Sequence, residues 1–170
     1  MHGLNSGMAS GTGTSPQTSL EQNDYANKVA SNEVTVAEQH QDYLRNRLPA
    51  SAPIHIPNNS TIIEQHKSGY EQVKYRWSHG EFKYEARWHT KTPNAPRNQG
   101  PSWVVTRKRP GVGNGPNARR KTVEVLIGKK GKNTTWVSLE DWHAAIRAKN
   151  NGTATKEQKE MLNNGHWKAE

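Results

Sequence analysis

Apolar and polar residues alternate with period two in two adjoining stretches of this chain, the clearest structural signal it carries. In QVKYRWS the apolar positions are Val73, Tyr75 and Trp77, and in EFKYEARWH they are Phe82, Tyr84, Ala86 and Trp88. Successive strand residues point to opposite faces, so a two-residue turn at His79 and Gly80 predicts a hairpin. It pairs Trp77 with Phe82, Tyr75 with Tyr84 and Val73 with Ala86, leaving Lys74, Arg76, Lys83, Glu85, Arg87 and His89 on the opposite face. Further strands are predicted at Ser102 to Lys108 and Thr122 to Ile127, with a short one near Thr135 to Val137. Helical spacing of Val36, Ala37, His40, Leu44 and Leu48 predicts an amphipathic helix over about 33–48, stopped by Pro49. Ser138 with Asp141, and Thr155 with Gln158, are capping-box signatures. They predict two short C-terminal helices, one over roughly 139–150 and one ended by Asn164 and Gly165. The expected fold class is α+β: a small twisted antiparallel sheet of about four strands, an N-terminal helix and two short C-terminal helices.

Residues 1–19 are mostly Gly, Ser, Thr and Asn, which bury too little apolar surface to offset ordering entropy, so a disordered leader is expected there. The stretch PASAPIHIPNNS at 49–60 contains three prolines and reads as a linker. Together these suggest a flexible 1–60 segment, bearing one helix, ahead of a working domain at 61–170. Two loops rich in Pro and Gly, TKTPNAPRNQGP at 90–101 and RPGVGNGPNARRK at 109–121, are cationic and too long to be simple turns.

Charge sharpens this division. The chain has a formal net charge of +9. Residues 1–70 hold four Lys or Arg against six Asp or Glu, whereas residues 71–170 hold twenty against nine and all six tryptophans. A basic block rich in aromatics suits a polyanionic partner, because clustered Lys and Arg release counterions from phosphates. The alternative is a solubilising surface. The absence of cysteine excludes disulfides, thiolate metal sites and cysteine nucleophiles. No apolar run approaches the roughly 18 residues of a membrane helix, and the first residues lack the apolar core of a signal peptide.

His89 is the leading candidate for chemistry, because it ends a predicted strand on the cationic face and opens a long loop. An imidazole titrates near neutrality and can take a proton from a ribose 2′-hydroxyl or give one to a leaving 5′-oxygen. Lys91 and Thr92 follow it in the loop. Arg107 is a second candidate, since a guanidinium can clamp phosphate oxygens in a bidentate manner. His166 is either a second acid/base group or a cap on the last helix. Arg76, Lys83, Arg87, Lys108, Arg119, Arg120 and Lys121 are candidate phosphate contacts. His79 and His143 read as surface or packing residues, and Trp103 as core in preference to a base-stacking platform. Only Glu81, Glu85 and Glu124 lie between Lys74 and Lys132, which disfavours a carboxylate metal site. No metal or other cofactor is expected.

Three stretches, YRWSHGEFKYEARWHTKTPNAP, GPSWVVTRKRPG and NGTATKEQKEMLNNGHW, give the block from Tyr75 onward a resemblance to the C-terminal toxin domains of bacterial polymorphic toxins. The resemblance implies a small nuclease, a ribonuclease in the first instance, with the barnase/EndoU/colicin/RelE-like arrangement of a helical segment followed by a four-stranded sheet. It marks His89, Thr90, Thr92, Arg107 and His166 as site candidates. It also implies RNA as substrate, with tRNA among the options, an acidic immunity protein as partner, a monomeric state, and delivery as the end of a larger toxin acting in the target-cell cytoplasm. A non-catalytic nucleic-acid-binding domain and a metal-dependent DNase are the alternatives.

Overall fold

A computed structural model describes residues 23–27, 34–95, 99–129 and 132–169. The expected disordered leader at 1–19 lies outside them. The chain divides into two compact units, 1–47 and Leu48–Glu170.

In the first unit, helix α1 (Val36–Asp42) starts where the Thr35 hydroxyl accepts from the Glu38 amide, a normal N-cap. The helix expected over 33–48 is shorter than its pattern suggested. After Asp42 the backbone widens into a π-helical turn at Tyr43–Arg47, and a 3₁₀ turn at Leu48–Ser51 opens the second unit. Leu44 and Leu48 are buried, but Val36 is 81% exposed and Ala37 and His40 are exposed, so only the end of the apolar stripe is used.

The second unit is an α+β domain built on one antiparallel sheet. Its strands are β1 (Thr61–Lys67), β2 (Tyr70–His79), β3 (Phe82–His89), β4 (Ser102–Arg109), β5 (Thr122–Gly128) and β6 (Thr134–Ser138), arranged in chain order. A seventh strand, β7 (Trp167–Lys168), pairs with the start of β4. The sheet is therefore larger than the four strands expected. Two strands escaped sequence reading for different reasons. In β1, TIIEQHK, the apolar residues are adjacent and only half-buried, so no alternation shows. β7 is too short to have a period.

The β2–β3 hairpin forms with its register shifted by two residues from the expected one: Trp77 opposes Tyr84, Tyr75 opposes Ala86 and Val73 opposes Trp88. Glycine placement explains the shift. Gly80 has φ +60°, which suits the first central position of a primed two-residue turn, so Gly80 and Glu81 form the turn and His79 pairs with Phe82. An even shift preserves the faces, and the predicted division into apolar and cationic sides survives it.

On the apolar face, Tyr75, Ala86, Trp103 and Val105 are fully buried. The 49–60 stretch, expected as a linker, belongs to this unit: Ala52, Ile56 and Ser60 are buried, and Ser51 accepts from the Trp103 indole at 2.9 Å. Trp103 is thus a core residue. On the other face, helices α2 (Leu139–Asn150) and α3 (Lys156–Gly165) pack Trp142, Ala145 and Leu162 against Val104 and Val125. Both caps predicted from sequence are present. Ser138 accepts from the Asp141 amide, and Thr155 and Gln158 form a reciprocal box. Gly165 lets the two helices close up, since a Cβ there would lie 2.3 Å from the Trp142 ring.

Candidate acid/base and phosphate-binding face

Register determines which side chains share the helix-bearing face. Gln72, His89, Ser102 and Lys168 follow one another across β2, β3, β4 and β7. In the next row Lys74, Arg87 and Val104 align, and alternation from the Trp103–Trp167 pair puts His166 beside Val104. The sheet thus brings together two histidines that are remote in sequence. Arg87 acts electrostatically on both imidazoles, and Lys149 at the end of α2 acts on His166.

The two imidazoles are held in the same way. His89 Nδ1 lies 2.9 Å from the Thr90 carbonyl oxygen, and His166 Nδ1 lies 2.6 Å from the Leu162 carbonyl oxygen. A carbonyl only accepts, so each Nδ1 carries the proton and each Nε2 is left as the basic nitrogen. The Ser102 hydroxyl stands 3.3 Å from His89 Nε2 and donates to it. The bond from His166 also closes the end of α3, so the capping role weighed from sequence and a basic Nε2 coexist in one residue, whose ring packs 5.1 Å from the Trp142 ring.

Both pKa values are lowered. For His89 burial is the main cause, with the nearby Arg87 charge acting in the same direction against the raising effect of the Thr90 bond. For His166 burial again leads, opposed by the Leu162 bond and reinforced by His89, Lys149 and Arg87. Cationic neighbours disfavour a second positive charge, so each imidazole is kept neutral at pH 7.

The remaining candidates fall in three places. Thr90 extends the β2–β3 pairing, its amide donating to the Glu71 carbonyl and its hydroxyl accepting from the Glu71 amide. Lys91 is exposed and Thr92 half-buried in the turn beyond, where the Thr92 carbonyl accepts from Ala95. Arg76, Lys83 and Lys108 lie on the same face as His89 but toward the hairpin tip, around a cavity of about 540 Å³ also lined by Thr61, Ser78, Glu85 and Thr106. Arg119 is tied to the tip, donating to Glu81 at 3.1 Å and to the Pro110 carbonyl, and forms a bridge to Val112. Arg120 and Lys121 are exposed beside it.

Arg107 is not brought to the histidines. It opposes Tyr84 on the apolar face, with its guanidinium carbon 4.2 Å from the centroids of both Phe82 and Trp136 and its Nε 2.9 Å from Glu124. Those contacts describe a structural cation between two rings. A clamp on the same phosphate as His89 would require it to pass through the sheet.

Sequence reading missed Ser102 and Lys168, which flank His89, and Lys149. Their positions depend on how β3 meets β4 across a 12-residue loop and on where β7 docks, and neither leaves a periodic signal. Among the described residues, no group of three or more His, Asp or Glu side chains is arranged to hold a metal, and no helix is long and apolar enough to cross a membrane. Compared with protein-family models, with curated proteins and with solved structures, the chain matches none of them.

Proposed function

We propose that the Leu48–Glu170 unit is a metal-independent endoribonuclease in which His89 and His166 are the acid/base pair. The observation that carries this reading is the hydrogen-bonding pattern the two imidazoles share: each has its Nδ1–H fixed by a backbone carbonyl, and both lie on one cationic sheet face. In the reaction, one Nε2 removes the 2′-hydroxyl proton as the 2′-oxygen attacks phosphorus. The other imidazole, protonated, delivers a proton to the departing 5′-oxygen, leaving a 2′,3′-cyclic phosphate. Arg87, Lys149 and Lys168 supply positive charge where the phosphorane becomes more negative. The substrate phosphate itself favours the protonated imidazole, which the free protein disfavours.

The resemblance to polymorphic toxin domains supports the same reading. In that setting the protein acts on RNA in the cytoplasm of a target cell, and an acidic immunity protein covers the cationic face in the producer.

A second reading has an observation of its own. His89 is only 8% exposed and has a partner at each ring nitrogen, as expected of a structural histidine in a non-catalytic nucleic-acid-binding domain. Incubating the purified protein with total RNA and with plasmid DNA, each with and without EDTA, separates the two. RNA cut in EDTA to fragments with 2′,3′-cyclic phosphate ends is the expected result. RNA bound but left intact in both buffers selects the binding domain.

A further inference from the structure

The hairpin-tip end of the cationic face contains an arrangement that folding alone does not explain. Lys83 on β3 and Lys108 on β4 stand directly opposite each other in the sheet register, both exposed. Like charges at opposed positions destabilise a strand pair. Neither ammonium has a hydrogen-bond or ion-pair partner among the described residues. Arg76 lies one row away, its Nε engaged by Glu85 at 2.9 Å, and Thr106 and Ser78 bring hydroxyls to the same cavity of about 540 Å³. Two facing ammonium groups, a guanidinium and hydroxyl donors are the complement of a phosphodiester, with an anion between the lysines relieving their repulsion.

We infer that Lys83 and Lys108 form a phosphate subsite for the backbone of single-stranded RNA, separate from the histidine pair. This deepens the ribonuclease reading and rests on it for the identity of the substrate. The subsite is displaced along β3 by the six positions from Lys83 to His89, roughly 20 Å at about 3.3 Å per residue. A stacked strand advances only about 3.4 Å per nucleotide, so an RNA must extend several nucleotides beyond the scissile bond to occupy both places. Lys74 and Arg87 lie between them on the same face and continue the positive track. The substrate class is therefore an unpaired stretch of several nucleotides rather than a dinucleotide.

The test is the affinity of fluorescently labelled 2′-O-methyl RNA, which cannot be cleaved, measured by anisotropy across a salt series with probes of two and eight nucleotides. The expected result is much tighter binding of the longer probe. Changing both residues, Lys83→Gln with Lys108→Gln, should weaken the longer probe's binding by about tenfold or more and lower its salt slope by about one per lysine. Because the substitutions remove a repulsion, the melting temperature should stay level or rise, which separates lost binding from lost fold. An unchanged affinity and salt slope in a folded double variant would overturn the subsite. Equal binding of an octaglutamate peptide, lost in the same variant, would overturn its assignment to RNA. Because the probe is uncleavable, the result does not depend on whether the histidines catalyse anything, and failure of the ribonuclease reading would show separately as intact total RNA.

Discussion

His89, at the end of β3, and His166, just after α3, reach the same sheet face from distant parts of the domain's chain, and each points its Nδ1–H at the carbonyl of a nearby residue, Thr90 for one and Leu162 for the other. On the proposed mechanism these two imidazoles, with basic Nε2 atoms and a shared Arg87, pass a proton in and out of one reaction.

Replacement by asparagine tests this without removing the backbone bond, since the Asn amide can still donate where Nδ1–H did. His89→Asn and His166→Asn should each lower kcat/KM on RNA by about 10²–10⁴-fold while RNA affinity changes only a few-fold. Steady-state cleavage together with a gel-shift titration measures both.

The pH–rate profile should be bell-shaped, with its maximum in kcat/KM below the ordinary imidazole value of about 6.5. Burial and the cationic neighbours lower both free-protein pKa values, so the fraction with one imidazole protonated is greatest on the acid side. A maximum above pH 7.5 would contradict the assignment.

The same shifts enter stability. Both histidines have folded values below their unfolded ones, so between the two the unfolded chain binds more protons. Stability should be indifferent to these groups above about pH 6.5 and decline as pH falls through the folded values. Urea midpoints measured at pH 7.5 and pH 5 should show the decline, and His89→Asn should reduce it.

Arg107 is expected to matter for the fold. Arg107→Ala removes an ion pair whose side chains are 22% and 29% exposed, along with contacts to two rings. A loss of about 2 kcal/mol is expected in denaturant unfolding. Its cleavage rate per folded molecule should fall far less than that of either histidine variant.

Gly165→Ala forces a methyl group against Trp142, whose ring atoms would lie 2.3 and 2.5 Å away. The ring is in the core and cannot yield freely, so a loss of about 1–3 kcal/mol is expected from thermal unfolding. The neighbouring His166 moves with the strained helix end, so activity at low temperature should fall as well.

The two faces of the sheet could be read from the chain because alternation fixes them whatever the register, as the two-residue shift at the Trp77 and Tyr84 pair shows. Helices α2 and α3 were equally legible, because the Ser138 and Thr155 caps are local chemistry. The α1 pattern reveals less: Val36, Ala37 and His40 have helical spacing but are exposed among the described residues, and periodicity alone does not show burial. Arg107 and His89 looked like partners because both end up on cationic strands, yet residue parity across a β3–β4 register that the loop hides puts them on opposite sides. Nothing local marks Ser102 or Lys168 as neighbours of His89. Their proximity is purely a product of strand pairing.

The pairing of β7 with β4 has a bearing on when the protein can act. Closing so long a loop costs entropy before its contacts stabilise anything, and non-local strand pairs form slowly for that reason. On the proposed mechanism, a nascent, extended or translocating chain holds both histidines yet has no acid/base pair. On that mechanism the acid/base pair forms only when Trp167 settles beside Trp103.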